Sequence, residues 1–338
     1  MSSLKNFLVA GLTLLLVCAV LLFLKQKPNH FSSSEKVKPE LVVLSYGSFT
    51  NSFGPGLRLK QEFEKNCHCK VHFLTADEAG LLIQKMKLSK ETIDVVVGLD
   101  QLNKSVARQQ LAWEPFAMED GVILSKLTSY LDGYFVPYDW APMTFIFREN
   151  EVKSIDNLED VLTKDWQGQV TLQDPRMSTP GLQFVYWLFT RYGPELMFKK
   201  LEEFKPKIHS VSPSWSTAYG LFQKKQAQMT FSYQTSVLYH QLEEKNQQYR
   251  FLNDKEGHPV QIEFVGVPSG CQNCSLAQDF VKFMLSPLGQ EIIMTKNYML
   301  PVITYDWPTT SLSATKYFLS LQSLPIIDST MLGEFLLS

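Results

Sequence analysis

Ser178-Thr179-Pro180-Gly181 has the residue types of a helix start that can also hold an anion. A hydroxyl residue caps the helix, proline suits its first position, and glycine lets a ligand approach the backbone. Free N–H groups and the helix dipole then favour a phosphate or carboxylate. Plain helix capping accounts for the same four residues, so a second signal is needed, and aromatic side chains supply one. Tyr46, Phe49 and Phe53 come early, Trp215 precedes a helix pattern, Tyr233 ends a strand pattern, Tyr239 sits in the helix behind it, and Tyr298 comes late. Rings converging on a cleft suit a flat or cationic organic ligand, each cation–π contact being worth about 0.5 to 2 kcal/mol. Nanomolar binding needs about 12 kcal/mol, so carboxylates or hydrogen bonds must share the task. Asp77 and Glu78 are placed to supply negative charge. With 23 Phe, 13 Tyr and 6 Trp in the chain, many rings must belong to the core instead.

The elements that would position these residues follow from strand-like runs alternating with helix-like patterns, which predict an α/β body with a largely parallel sheet. Strands are expected at Leu41–Ser45, Val71–Thr75, Asp94–Val97, Gln169–Leu172, Gln228–Ser232 and Val260–Val267. Helices are expected over about Leu57–Glu64, Ala79–Leu88, a stretch after Asp100, Pro180–Tyr192 (ended by Gly193-Pro194), Thr217–Lys225, Val237–Lys245, Leu276–Met284 and Pro287–Thr295. Ligands of open α/β sheets bind beyond the carboxyl ends of the strands. The loops there are Tyr46–Phe49, Asp77-Glu78, Gly98–Asp100, Asp174–Gly181 and Tyr233-Gln234-Thr235-Ser236, all rich in hydroxyls or rings.

Composition narrows the function. The chain has 338 residues, 45% apolar and 20% charged, which excludes a disordered or fibrous protein and fits about two compact units. Its 34 acidic and 32 basic residues give a net charge of −2 without a basic stripe, so no nucleic-acid partner is expected. The six histidines are scattered without HExxH, and neither GxSxG nor a Walker sequence occurs.

At the N-terminus, Phe7–Leu24 carries no charge and lies between Lys5 and Lys25. At about 1.5 Å rise per residue this run nearly spans a bilayer core of about 30 Å. It is a signal peptide or a membrane anchor. The anchor is favoured because bulky Leu21-Leu22-Phe23-Leu24 ends the run where a cleaved signal shows small residues. Val17 before Cys18 argues against lipid attachment at that cysteine. Lys25–Lys38, with Pro28 and three consecutive serines, reads as a flexible tether.

Whole segments then resemble a known family. They are SYGSF (Ser45–Phe49), FGPG (Phe53–Gly56), Cys67-His68-Cys69, DVVVGLD (Asp94–Asp100), QDPRMSTPGL (Gln173–Leu182), WSTAYGLF (Trp215–Phe222), SYQTSVLYHQLEE (Ser232–Glu244) and NYMLPV (Asn297–Val302). Over roughly residues 41–302 the chain resembles the thiamine-binding periplasmic proteins of bacterial ABC importers. The resemblance implies a two-lobed periplasmic binding protein fold of the second type, with chain crossings near Val136–Met143 and Gln261–Pro268. Residues 1–24 would be the signal or anchor and 25–40 the tether. Residues 41–140 with 266–338 would form one lobe, and 141–265 the other. It implies thiamine or its phosphate esters as ligand, no cofactor, delivery to permease and ATPase subunits, and a periplasmic location with membrane contact through residues 7–24. Ligand contacts would fall on Asp77, Glu78, Ser178, Thr179, Trp215 and Tyr233 to Ser236, with Tyr239, Tyr46, Phe53 and Tyr298 beside them. Ser178 and Thr179 would hold a phosphate or the hydroxyethyl arm, and Trp215, Tyr233 and Tyr239 would pack on the rings. Gly47, Phe53, Tyr298 and the Asp77-Glu78 pair depart from the family pattern, which has an acid, two tryptophans and Asp-Gly there.

Two other functions compete. A thiaminase-like enzyme shares the fold but needs a cleft cysteine, and none falls in the strand-end loops. The other is a receptor for a different small ligand, a thiamine precursor or iron; a ferric site needs clustered tyrosines, and Tyr233 and Tyr239 lack an evident carboxylate partner. The pairs Cys67/Cys69 and Cys271/Cys274 are expected as structural disulfides; the alternatives are a redox motif for the second pair and a zinc site using Cys67, Cys69 and His72. No function is derived for 307–338.

Overall fold

The computed structural model describes residues 38–152 and 155–305. The expected anchor at 7–24, Cys18, nearly all of the tether and the tail from 307 onward lie outside the described residues. Among the described residues, no helix is long and apolar enough to cross a membrane.

In chain order the elements begin with β1 (Glu40–Tyr46), α1 (Gly47–Thr50), α2 (Pro55–Cys67), β2 (Lys70–Ala76), a 3-10 turn at Ala79–Leu81, α3 (Leu82–Leu88), β3 (Val95–Asp100) and α4 (Gln101–Gln110). They continue with β4 (Phe135–Arg148), α5 (Leu158–Thr163), β5 (Val170–Gln173), α6 (Thr179–Phe204), β6 (Ile208–Ser212), α7 (Trp215–Gln223) and β7 (Met229–Tyr233). The last are α8 (Ser236–Leu242), β8 (Tyr249–Phe251), β9 (Val260–Gly266), α9 (Cys274–Met284) and α10 (Pro287–Lys296). The strand order is β2-β1-β3-β9-β4-β7-β5-β6, with β8 also on β4. β1 is parallel to β2 and β3, and β5 is parallel to β6 and β7, as the alternating pattern predicts.

β4 joins two sections of this sheet. Its residues Phe135–Pro142 pair with β9, and Met143–Phe147 pair with β7. Proline has no N–H for a ladder. Pro142 sits where the partner changes, and Pro137 at the register shift against β9. All fourteen residues of β4 are buried, so the strand shows no in-out alternation, and the sequence pattern left it unassigned. The chain returns from the second section between Phe251, paired to Ile146, and Val260, paired to Pro142. The return therefore precedes the expected Gln261–Pro268, and β9 belongs to the first section rather than to residues 141–265. The reason is its pairing with β3 and β4, which buries all seven of its residues.

Two cores fill the molecule, the first extending from the first section to Tyr219, Phe222, Val237, Leu238 and Tyr249 of the second. In the first, β1, β3 and β9 are covered by α2 and α9, where Phe63 meets Phe280 at 5.1 Å. In the second, Phe145 gathers Phe184, Trp187, Phe204 and Phe231 at 5.4 to 6.5 Å. Within α6, the first helical stretch stops at Gly193-Pro194, as the sequence predicts. Gly193 takes a left-handed φ of 71°, which kinks the chain, and Pro194 opens a second helical stretch that runs to Phe204. β6, β8 and α5 also lie outside the pattern read from sequence. Both cysteine pairs, Cys67–Cys69 and Cys271–Cys274, are joined as disulfides. His72 instead faces Glu91 on the surface, and no metal-binding cluster occurs among the described residues.

Candidate functional site

A cavity of about 580 Å³ opens between the strand-end loops of the two sections. The first section contributes Tyr46, Glu78, Gln261, Glu263, Asn297 and Tyr298; the second contributes Thr179, Trp215, Tyr219, Tyr233, Ser236, Tyr239 and Glu243. Phe53 stands on the rim, 85% exposed.

Tyr46 ends β1 and reaches the cavity because Gly98, in β3, has φ +105° and no side chain. A Cβ there would lie 2.4 Å from the Tyr46 ring. The register of β3 against β9 shifts at this glycine, between Val97 and Leu99. The Tyr46 hydroxyl donates to Glu263 Oε2 at 2.6 Å, the Tyr138 hydroxyl donates to the same oxygen, and Gln261 Nε2 donates to Glu263 Oε1 at 2.9 Å. Gln261 Nε2 also donates to the Tyr233 hydroxyl at 2.9 Å, while Thr179 Oγ1 donates to Gln261 Oε1 at 3.2 Å. A chain of hydrogen bonds thus runs from the start of α6 to β9. Burial, with the nearby carboxyls, pushes the phenols of Tyr46 and Tyr233 up, so both stay neutral.

The opposite wall is held by rings. Trp215 opens α7 and stacks on Tyr219 at 4.9 Å and 22°, while its indole N–H donates to Ser232 Oγ at 2.9 Å. Ser232 in turn bonds Ser236 at 2.9 Å. Tyr239 meets Tyr298 edge-on at 5.6 Å, and the Tyr298 hydroxyl donates to Glu243 Oε1 at 3.0 Å across the mouth. Tyr298 holds a left-handed φ of 53°, unusual for an aromatic residue and of a kind that gathers at binding sites. Glu78 also bridges the sections: the Trp215 backbone N–H donates to its carboxylate. Burial, opposed by that bond and aided by Asp77, pushes the Glu78 carboxyl up to about 7.

Of the residues expected from sequence, Tyr46, Phe53, Glu78, Thr179, Trp215, Tyr233, Ser236, Tyr239 and Tyr298 line the cavity. Four do not. Asp77 is exposed outside the lining, since Glu78 is extended (φ −135°, ψ 156°) and consecutive extended residues point to opposite sides. Ser178, Gln234 and Thr235 are buried behind the wall. Ser178 does not cap α6, and its Oγ has no partner among the described residues; the same holds for both amide atoms of Gln234 and for Thr235 Oγ1. Phe49 is core, packed on Tyr46, Phe73 and Tyr138.

Gln261, Glu263, Asn297, Glu243 and Tyr219 were not anticipated. A signal existed for the first two: Gln261 and Glu263 are polar two residues apart in an otherwise apolar strand, which puts both on one face. Among the cavity's lining residues, seven rings and three carboxylates stand against one basic side chain, Lys296, which is exposed. Such a lining favours a flat organic cation.

Residues 58–305 match the model of the bacterial extracellular solute-binding protein family. The chain is 34% identical over 272 residues to the thiamine-binding periplasmic protein of Brucella melitensis, covering 79% of this chain and 80% of that one. It is 32% identical over 292 residues to the thiamine-binding periplasmic protein of Escherichia coli, covering 85% and 88%. A solved periplasmic thiamin binding protein superposes with a TM-score of 0.74 at 31% identity, over 84% of this chain and 93% of that one. The chain belongs to the bacterial extracellular solute-binding protein family and, within it, groups with the thiamine-binding periplasmic proteins. These relatives are binding proteins, not enzymes, and the chain is a solute-binding protein of the transport type.

Proposed function

We propose that this protein captures thiamine in the cavity between its two sheet sections and hands it to an ABC importer. The observation that carries this reading is the lining, where seven rings and three carboxylates meet one exposed lysine. A thiazolium ring is a delocalised cation, and rings such as Trp215, Tyr233 and Tyr239 attract it by about 0.5 to 2 kcal/mol each. Glu78 and Glu243 sit at the same cavity and add charge or hydrogen bonds to the aminopyrimidine. Thr179, at the start of α6, is placed for the hydroxyethyl arm or a phosphate carried on it. The volume of about 580 Å³ suits a ligand of that size.

The reading needs no cofactor and no chemistry. The two sections act as lobes that close on the ligand, β4 and the return before β9 being the hinge, and the ligand selects the closed state. Bridges already span the mouth, from Tyr298 to Glu243 and from Glu78 to Trp215. The closed form then docks on an importer's permease subunits at the outer face of the cytoplasmic membrane, the ATPase subunits acting from the inner face, with residues 7–24 directing the chain there as signal or anchor.

Calorimetric titration tests the reading, using full-length protein unfolded and refolded to strip carried ligand. Thiamine, its monophosphate and its diphosphate are titrated in turn. Submicromolar binding of thiamine or an ester at one site per chain is expected; no heat from any of the three would overturn the proposal.

A further inference from the structure

Asp139 and Glu263 face each other as register partners on β4 and β9, at the inner end of the cavity that the thiamine reading fills. They are 0% and 2% exposed, and among the described residues neither makes an ion pair. Two adjacent carboxyls out of water cannot both ionise without large cost, so the pair holds one proton and one negative charge; Asp100, which faces Glu263 from β3, is a third buried carboxyl, turned to the Leu102 and Asn103 N–H groups at the start of α4 and pushed up to about 6 by burial. Their hydrogen bonds decide where the charge resides. Glu263 accepts from the hydroxyls of Tyr46 and Tyr138 and from Gln261 Nε2. The Gln261 amide is fixed in that sense because its oxygen accepts from Thr179 Oγ1. Asp139 accepts one bond, from Asn297 Nδ2 at 2.8 Å on Oδ2, and its Oδ1 has no partner among the described residues. Burial and the Glu263 charge push the Asp139 carboxyl far up. Burial pushes Glu263 up too, but its three donors pull it back. Asp139 therefore keeps the proton, and Glu263, which lines the cavity, carries the charge.

We infer that Glu263 is a specificity-determining residue of this site, the fixed anion that makes the cavity choose an organic cation over an uncharged molecule of the same shape. The inference rests on the thiamine reading and adds what in the ligand is recognised: the positive charge itself, from below, apart from the rings that clasp its faces. Three donors hold the carboxylate still and ionised before the ligand arrives, so its attraction to the cation needs no rearrangement. Asp139 is a positioning residue, tying Asn297 to the pair.

The test compares thiamine with its neutral isostere, in which carbon replaces the thiazolium nitrogen to give a thiophene. Dissociation constants are measured for wild type, Glu263→Gln, Asp139→Asn and the double variant. Wild type should prefer thiamine on the order of thirtyfold, as one partly buried opposite charge implies. Glu263→Gln and the double variant should lower that ratio at least about fivefold, the remainder coming from the rings and Glu78, while Asp139→Asn keeps the wild-type ratio. An undiminished ratio in Glu263→Gln would overturn the inference, as would equal loss in Asp139→Asn, the mark of a merely structural role. If wild type binds thiamine and isostere equally, the inference fails while the thiamine reading stands; if it binds neither, the reading fails and takes the inference with it. Should Glu263→Gln not fold, the double variant, which leaves neither acid of the pair, is read in its place.

Discussion

Tyr46, Gln261 and Glu263 on one side of the cavity are locked to one another by hydrogen bonds and almost fully buried, whereas Trp215, Tyr233 and Tyr239 across from them are held mainly by ring contacts and remain partly open. The difference follows from the elements. The first wall is built on β1 and β9, central strands whose neighbours fix every side chain. The second is built on the starts of α7 and α8 and the end of β7, where side chains project past the last ladder bond. Charge thus comes from a rigid wall, and ring surface from one able to adjust as the sections close.

The sharpest way to break this comparison is to remove a ring from the second wall. Trp215→Ala and Tyr233→Ala should each weaken thiamine binding at least about tenfold, or about 1.4 kcal/mol. Melting temperature should change little for Trp215→Ala, because the indole is only half-buried. Unchanged affinity in both variants, by titration, would remove the ring wall from the account.

Next in size is a pH effect through Glu78, whose buried carboxyl titrates near 7. A cation binds the ionised form better, so affinity should rise with pH through that value and level off above it. Going from pH 8 to pH 6 should cost about tenfold, and Glu78→Gln should flatten the profile. A flat wild-type profile would show that Glu78 serves only to bridge to Trp215.

Smaller still is the effect of crowding the contact between sections. A Cβ on Gly80 would lie 2.6 Å from the Met177 carbonyl oxygen, backbone that cannot easily yield. Gly80→Ala should hold the sections apart and weaken binding about threefold, mostly through faster release. Stopped-flow release kinetics check this. Phe53→Ala, at an 85% exposed rim position, should change affinity less than about twofold.

The same contrast explains what the sequence made legible. Glu78, Thr179, Trp215, Tyr233 and Ser236 lie in loops located by the strand-helix alternation, so their presence at the cavity follows from finding the strand ends. Within a loop, however, the pattern cannot say which of two neighbours turns inward. Glu78 was paired with Asp77, Thr179 with Ser178, and Ser236 with Gln234 and Thr235, and in each case only one side of the chain meets the cavity. Glu263 and Gln261 lie within a strand rather than in the loop beyond its end, and only the two polar residues at alternate positions in VQIEFVG mark their polar face. Asn297 joins the site through its bond to Asp139, a contact between residues far apart in the chain that no local pattern encodes. β4 was missed for a related reason: buried throughout, it has neither alternation nor helical period to show.

The central claim is that thiamine sits between these two walls, and a crystal structure of the protein grown with thiamine tests it most directly. The account predicts one thiamine per chain in this cavity, its rings against Trp215 and Tyr233 and its charged ring toward Glu263. Thiamine found elsewhere on the chain, or a thiamine-soaked crystal with this cavity holding only water, would contradict it.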